Sequence, residues 1–286
     1  MKKAKKISIA VLSVIAILVC LVIIDNNRIQ TTHYEYSNEK IPREFDGFKI
    51  VQISDLHNKS FGKNQSRLIK KIKDCSPDII VFTGDMVSRR AKKLQNAESF
   101  IRNAVKICDV YYVEGNHERY SYNYNVYFKP FLEGIGVHTL RNKSEKIFKN
   151  GKSSTVSGLN DPVFTSEYGY DVSLRNEVFC EWIKNVTKRD NNEFQILLSH
   201  RPEYFEKYVQ FNADLVLSGH THGGQVILPF VGGVYAPNQG LFPKYDKGKF
   251  TLSSTTMIVC RGLGNSISFP RINDCPEIVC VTLKSK

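Results

Sequence analysis

The chain has 286 residues, with 40 Lys and Arg against 28 Asp and Glu, seven cysteines and 42% hydrophobic residues. This apolar fraction is normal for globular proteins and excludes a disordered, collagen-like or coiled-coil chain. At roughly 100–200 residues per domain, the length predicts one large domain or two modest ones. The net charge of +12 is unevenly distributed, because four lysines stand in the first six residues.

An uncharged apolar run of 18 residues follows these lysines, at positions 7–24. As a helix it would be about 27 Å long, close to the thickness of a bilayer's hydrocarbon core. The run is longer than a usual signal-peptide core and no small-x-small cleavage site follows it, so we expect a retained anchor rather than a cleaved signal peptide or a buried core helix. The lysines favour the cytoplasmic side. This predicts a single-pass cell-membrane protein whose remaining chain is extracytoplasmic.

Apolar runs and amphipathic stretches alternate along the rest of the chain. Short apolar runs bounded by turn formers predict buried strands at 48–54, 78–84, 110–115, 194–200, 213–219, 255–260 and 277–283. Apolar residues recur on one helical face at 64–75, 92–107 and 174–186. This alternation indicates an α/β architecture. We expect four segments: a basic cytoplasmic segment (1–6), a membrane anchor (7–24), a linker with an entry strand (25–46) and one domain (47–286).

Five polar clusters stand where predicted strands end, and they contain five of the seven histidines. The clusters read D-L-H at 55–57, G-D at 84–85, G-N-H-E at 115–118, S-H-R-P at 199–202 and G-H-T-H-G-G at 219–224. Residues i and i+2 of an extended chain point the same way, so Asp55 and His57 reach one ion together, and His220 and His222 project into one site. Carboxylate, imidazole and amide donors without a thiolate suit Mn²⁺, Fe²⁺ or Zn²⁺ better than Mg²⁺ or Ca²⁺.

The ordered set D-x-H, G-D, G-N-H-E, H and G-H-x-H resembles the calcineurin-like metallophosphoesterases. The longer GHTHGGQ, CRGLGNS and RINDCPEI segments are similar to the membrane-associated YaeI- and YkuE-type subgroup. The resemblance covers the chain from about residue 47 to the C-terminus. It implies a four-layer αββα sandwich with two central mixed β-sheets, here following an N-terminal transmembrane helix, and makes 47–286 the catalytic domain.

The resemblance also implies roles for the clustered residues. Two divalent ions about 3.5–4 Å apart would be held by seven ligands: Asp55, His57 and His222 for one ion, Asn116, His200 and His220 for the other, and Asp85 bridging both. A hydroxide shared by the ions would attack phosphorus, and His117 would protonate the leaving oxygen. We expect no nucleotide cofactor.

We therefore expect a membrane-anchored phosphoesterase that hydrolyses phosphodiester or pyrophosphate bonds of an envelope or lipid-linked substrate, such as a UDP-acylglucosamine-like molecule. The alternatives are a phosphomonoesterase or nucleotidase for soluble substrates and a non-catalytic, membrane-tethered metal-binding scaffold. Nucleic acid is not an expected partner, because no clustered basic helix is evident. The scattered cysteines are interpreted as small buried apolar residues.

Three residues beside the clusters have competing interpretations. Glu118 either orients His117 or is a solvated carboxylate. Arg201 is interpreted as solvated rather than as a phosphate ligand. Asp161 is interpreted as part of a turn before Pro162 at least as readily as an acid near the site.

Overall fold

Helices and strands alternate along most of the chain. The computed structural model describes residues 2–168, 172–190, 192–265 and 269–286. Within these ranges the α-helices are α1 (Lys2–Asn27), α2 (Ser66–Cys75), α3 (Gln95–Ala104), α4 (Asn116–Arg119), α5 (Lys129–Gly134), α6 (Val172–Thr187) and α7 (Phe205–Gln210). The strands are β1 (Gln30–Asn38), β2 (Lys49–Ile53), β3 (Ile79–Thr83), β4 (Asp109–Val113), β5 (His138–Thr139), β6 (Lys143–Lys149), β7 (Lys152–Gly158), β8 (Gln195–Leu198), β9 (Leu215–Ser218), β10 (Ile227–Leu228), β11 (Gly232–Gly233), β12 (Tyr235–Ala236), β13 (Gly240–Leu241), β14 (Gly248–Leu252), β15 (Thr255–Val259) and β16 (Glu277–Ser285).

Two six-stranded mixed sheets form the centre of the described structure. The first sheet has the order β1-β16-β2-β3-β4-β5, in which β2, β3, β4 and β5 are parallel and β16 runs antiparallel to β2. The second has the order β14-β15-β9-β8-β7-β6, with β15, β9, β8 and β7 parallel and an antiparallel strand at each edge. Two short hairpins, β10–β11 and β12–β13, project from the loop after β9.

Apolar side chains fill three layers of core between four layers of secondary structure. In β3, Ile80 and Phe82 belong to the core shared with α2, α3 and α5. The alternate residues Ile79 and Val81 belong to the core between the two sheets. A third core packs the outer face of the second sheet against α6 and α7, with Phe179 at its centre. Strands buried on both faces need apolar residues at every position. The predicted four-layer αββα sandwich is confirmed.

The strands predicted from continuous apolar runs are present, with bounds shifted by at most two residues. The entry strand is β1, which pairs in parallel with β16 at one edge of the first sheet. The sequence patterns did not reveal the β6–β7 hairpin. β6, KSEKIFK, is an edge strand with mostly solvent-exposed side chains, whereas β7, KSSTVSG, is mostly buried but carries small Ser, Thr and Gly residues in place of an apolar run.

Helix α1 projects from the domain. Residues Lys5–Asn27 are long and apolar enough to cross a membrane, with a mean hydropathy of 3.3, and none of this apolar stretch is buried. All seven cysteines are free; Cys20 lies exposed on α1, while Cys75, Cys260, Cys275 and Cys280 are buried. This agrees with their interpretation as buried apolar residues for these four.

Candidate metal centre

The carboxyl ends of the parallel strands from both sheets converge on one site. Strands β2, β3 and β4 of the first sheet lead into Asp55, Asp85 and Asn116, and strands β8 and β9 of the second lead into His200 and His220. Ligand sites of α/β proteins form at this end because the loops that follow the strands meet there. The site therefore bridges the two sheets, and all eight side chains predicted to act in it are buried there.

One group of possible metal donors comprises Asp55, His57 and His222, whose ligand atoms lie within 4.8 Å of one another. Asp55 Oδ1 is 3.5 Å from His222 Nε2 and 4.0 Å from His57 Nε2. The other oxygen, Asp55 Oδ2, accepts hydrogen bonds from the backbone N–H of His220 and from Ser54 Oγ. These bonds leave Oδ1 free to face the two imidazoles.

A second group comprises Asp85, His200 and His220. His200 Nε2 lies 3.4 Å from Asp85 Oδ2, 3.1 Å from His220 Nδ1 and 3.3 Å from Asn116 Oδ1. Asp85 Oδ2 also lies 3.8 Å from His57 Nε2 of the first group. Asp85 thus stands between the two groups, and Asn116 joins the second.

The backbone at the site is strained in a recurring way. Five non-glycine residues have positive φ angles between 49° and 73°: Asp55, His57, Asp85, His220 and His222. Such conformations cost of order 1–3 kcal/mol each and cluster at functional sites, where the surrounding structure over-determines them. A Cβ at Gly219 would overlap Ser54 Oγ and lie 2.5 Å from Asp55 Oδ2. Only glycine permits the two strand ends to approach so closely.

Electrostatics at the site favours a bound cation. Burial lowers the pKa of His57 to about 3 and holds those of His220 and His222 well below their ordinary value, so these imidazoles are neutral and have a free lone pair. Burial also lowers the pKa of His200, but the Asp85 carboxylate outweighs it and raises that pKa to about 10. Burial would raise the pKa of Asp85, yet His200 holds it well below its usual range. The anionic Asp85 carboxylate thus stabilises positive charge in the space between the two donor groups.

Within the two donor groups, two buried atoms have no hydrogen-bond partner among the described residues: Asp55 Oδ1 and His57 Nε2. An unsatisfied buried carboxylate oxygen or imidazole nitrogen costs several kcal/mol unless something else binds it. Both atoms face the same space, and carboxylate with neutral imidazole is a donor pair suited to Mn²⁺, Fe²⁺ and Zn²⁺. The residues present therefore fit a divalent metal site.

His117 lies at the edge of this constellation. Its Nε2 is 3.9 Å from Asp85 Oδ2, and its Nδ1 accepts a hydrogen bond of 3.1 Å from the backbone N–H of Arg89. A ring whose Nδ1 accepts carries its proton on Nε2 when neutral. Burial lowers the pKa of His117, which favours that neutral form. The Nε2–H therefore points into the site.

The structure decides the interpretations of Glu118 and Arg201. Glu118 is fully buried and its carboxylate accepts hydrogen bonds from the backbone N–H groups of Asp85, Val87 and Gly115, so it holds the motif loops rather than being solvated. The interpretation of Arg201 as solvated is wrong. Its guanidinium is buried and forms a two-pronged ion pair with Asp161, at 2.6 and 3.1 Å. The two side chains satisfy each other beside the cleft.

Sequence reasoning missed Arg271, a fully buried side chain that contacts His222. Its Nη2 lies 3.2 Å from His222 Nδ1 and donates to the carbonyl oxygen of Gly264 at 2.7 Å, while Nη1 pairs with Asp274 Oδ2 at 2.9 Å. Nothing in the local R-I-N-D pattern at 271–274 marked this residue, because its burial and its contact with His222 depend on the fold.

A family model described as calcineurin-like phosphoesterase matches residues 48–224, the part of the chain that carries all five motifs. The chain belongs to this family. Membership makes the protein a metal-dependent phosphoester hydrolase, and its clustered His and Asp residues are compatible with a dinuclear divalent site.

Relatives of this calcineurin-like phosphoesterase occur in bacteria and animals. It is 32% identical to the uncharacterized metallophosphoesterase YkuE of Bacillus subtilis, over 92% of this chain and 88% of the relative. It is 31% identical to an uncharacterized metallophosphoesterase of Aquifex aeolicus, over 88% and 91% of the two chains. A zebrafish transmembrane protein with a metallophosphoesterase domain is 26% identical, over 86% of this chain and 55% of its own length.

The metallophosphoesterase site opens into a cleft of about 730 Å³. Asp85, Asn116, His117, His220 and His222 form its floor. Its walls carry three arginines, two exposed tyrosines and an asparagine from the loop after β12: Arg89, Arg90, Arg201, Tyr120, Tyr235 and Asn238. Nothing in the local sequence pattern marked Asn238, whose Oδ1 lies 3.2 Å from His220 Nε2 and accepts from Arg201 at 2.7 Å.

Proposed function

We propose that this chain is a membrane-anchored phosphoesterase that holds two divalent cations and hydrolyses phosphodiester or pyrophosphate bonds. The observation that carries the proposal is the position of Asp85, whose Oδ2 lies 3.8 Å from His57 Nε2 and 3.4 Å from His200 Nε2. A carboxylate so placed reaches both donor groups. The ligands would be Asp55, His57 and His222 on one side, Asn116, His200 and His220 on the other, with Asp85 shared.

Bound divalent cations would supply Lewis-acid stabilisation of the phosphoryl oxygens and a nucleophile at neutral pH. The chain's own contribution is to hold the donors before the substrate arrives. Asp55 Oδ2 accepts a hydrogen bond from the backbone N–H of His220, and Asp85 Oδ1 accepts one from the backbone N–H of His117 at 2.8 Å. A constellation held in this way loses little free energy to reorganisation during the reaction.

His117 would act as the proton donor to the leaving oxygen. Its Nδ1 is occupied by the Arg89 N–H, so the proton on Nε2 faces the cleft floor. The same ring nitrogen lies within ligand distance of His57 and Asp85. The metal content of a His117 variant therefore distinguishes a proton donor from an eighth ligand.

The cleft walls favour an anionic substrate larger than inorganic phosphate. Arg89 and Arg90 are exposed at the cleft, and in the described part of the chain neither forms an ion pair with a carboxylate. Arg201 is neutralised by Asp161. Two free positive charges and a volume of about 730 Å³ suit a diester or a pyrophosphate with substituents on both sides.

The N-terminal helix supports an envelope or lipid-linked substrate, such as a UDP-acylglucosamine-like molecule. Lys5–Asn27 is long enough to span a bilayer, and a relative that matches over most of this chain is named a transmembrane protein. The four preceding lysines favour an extracytoplasmic domain. A reporter fused after Lys286 tests this orientation, because a cytoplasmic signal would contradict it.

The function is tested with the full-length chain in bilayer nanodiscs supplied with Mn²⁺. We expect preferential hydrolysis of bis-p-nitrophenyl phosphate over p-nitrophenyl phosphate, and loss of turnover in Asp85→Asn. A preference for the monoester would instead support a phosphomonoesterase or nucleotidase. Two bound metals with no turnover of either compound would support the metal-binding scaffold.

A further inference from the structure

The end of helix α1 determines which face of the domain meets the bilayer. Asn26 pairs with the backbone of Arg271, accepting from its N–H at 2.9 Å and donating to its carbonyl oxygen at 2.7 Å. Lys59 Nζ donates to the carbonyl oxygen of Asn26, and Arg67 donates to that of Asn27. The described apolar side chains before this turn are exposed, apart from the half-buried Val22. A helix docked by its last turn places this face of the domain next to the membrane surface.

Two hairpins and a short segment on this same face carry a set of exposed apolar side chains, which we call the apolar lobe. Its members are Leu228, Phe230, Val231, Leu241, Phe242, Phe269 and Ile272. The lobe connects directly to the helix end, because Ile272 follows Arg271 and exchanges backbone hydrogen bonds with Gln225 and Ile227. Phe230, at the tip between β10 and β11, is fully exposed, and Leu241 is 68% exposed. Clustered apolar exposure of this kind marks protein or membrane interaction sites.

A basic surface lies on the other side of the helix end. Helix α2 presents exposed cations around Asn27 and Arg28: Arg67, Lys70, Lys71 and Lys73, with Lys63 just before the helix. Among these cations, Lys70 is the one that forms an ion pair with Asp74. Exposed cations of this kind are attracted to anionic lipid headgroups. An apolar lobe beside a basic helix is the combination found in proteins that lie in a bilayer interface.

We propose that the apolar lobe inserts into the bilayer interface beside α1, with the basic helix α2 on the lipid headgroups. The occupant is the membrane rather than a second protein, because the lobe and the basic helix flank the end of α1, the one helix among the described residues that is long and apolar enough to cross a bilayer. Tyr235 of β12 and the neighbouring Asn238 line the cleft and belong to the same pair of hairpins. Insertion therefore holds the cleft mouth at the headgroups, where the phosphoester of a lipid-linked substrate lies.

This proposal rests on the membrane anchoring proposed above, and the single tryptophan of the chain, Trp182, makes it testable. In a Trp182→Phe background, Phe230→Trp places the only tryptophan at the tip of the lobe. The full chain is placed in phosphatidylcholine–phosphatidylglycerol nanodiscs with or without brominated acyl chains. We expect blue-shifted emission in the unbrominated discs and loss of that emission in the brominated ones.

The matched control is Phe148→Trp in the same background. Phe148 is also highly exposed, at 73%, but it pairs with Ser153 near the start of β7, at the opposite end of the second sheet from the site. Its emission should be red-shifted and unaffected by bromine. Equal quenching of the two variants, or no quenching of F230W, would overturn the proposal. Blue-shifted emission without quenching would show that protein covers the lobe, and would overturn it as well.

Two further readouts separate this proposal from those above. Co-elution of the chain with the discs reports the anchor alone; chain that elutes free would contradict the anchor and the lobe together. Hydrolysis of soluble bis-p-nitrophenyl phosphate by F230W should equal that of the parent chain, because Phe230 does not line the cleft. Quenching without hydrolysis in any variant would leave membrane insertion standing and count against the proposed catalysis.

Discussion

At the scale of single residues, the site combines strain with unsatisfied donors. Asp55 has a φ of 50° and a buried, unpaired Oδ1, and His57 has a φ of 49° and an unpaired Nε2. Both features cost free energy in the folded chain. They are offset when a cation binds the free atoms, so the same residues that strain the fold create its affinity for metal.

His117 is expected to affect turnover rather than metal binding. In His117→Ala, the loss of the Nε2–H should lower kcat by about 10²–10⁴-fold, the usual contribution of a general acid or base. The bound metal, measured by elemental analysis, should stay at the parent level because seven other donors remain. Unchanged turnover with both metals present would contradict the assignment, and loss of one metal would identify His117 as a ligand.

Arg271 is expected to act on the metal through His222. In Arg271→Lys a positive charge remains beside Asp274, but the planar fork that meets His222 Nδ1 and the Gly264 carbonyl is lost. Removing such a support typically weakens metal affinity by about 10–100-fold. Arg261→Met is the control, because the Arg261 side chain faces Asp274 and Glu277 rather than His222. Equal metal affinities, measured by titration calorimetry, would count against this positioning role.

At the scale of elements, the site exists because strand ends from two sheets nearly touch. β2 and β9 belong to different sheets, yet the loops that follow them meet at Ser54 and Gly219. Gln52 adds a cross-link, since its Nε2 donates to the Ser218 carbonyl oxygen at 2.8 Å. These contacts fix the distance between the two sheets next to the possible metal donors. They leave no room for a side chain at Gly219.

Gly219→Ala should therefore destabilise the fold and distort the site. The new methyl would overlap Ser54 Oγ and press on the Asp55 carboxylate. Overpacking of this kind typically costs about 1–3 kcal/mol, measurable as a lower midpoint of urea unfolding, with weaker metal binding. Gly134→Ala is the matched control, because a Cβ there has no atom within 4 Å. A G219A chain as stable as G134A would contradict the close approach.

At the scale of the whole molecule, metal binding should contribute to global stability, because the donors come from both sheets. A ligand that binds only the folded chain at 100 times its Kd stabilises that chain by about 2.7 kcal/mol. Removal of metal by chelation should therefore lower Tm, and re-addition of Mn²⁺ should restore it. In Asp85→Asn the Mn²⁺-induced rise in Tm should largely vanish. A Tm that is unchanged by chelation would indicate that the donors bind no metal that stabilises the fold.

Features that depend on residue types at neighbouring positions could be predicted from the sequence alone. Continuous apolar runs predicted the buried strands, and the histidine and aspartate clusters at their ends predicted the residues that meet at the site. The 18-residue apolar run predicted the exposed N-terminal helix. These signals are readable because strand burial and ligand chemistry restrict residue types at neighbouring positions.

Contacts between residues far apart in the chain became evident only in the folded structure. Arg201 looked solvated until Asp161, 40 residues away, was found to pair with it. Arg271 contacts His222, and the lobe around Phe230 is joined to the end of α1 through the pairing of Asn26 with Arg271. No local pattern marks such residues, because a buried ion pair or an exposed apolar tip depends on which segments the fold brings together. Burial and pairing depend on how the whole chain packs, whereas residue type and spacing can be read directly from the sequence.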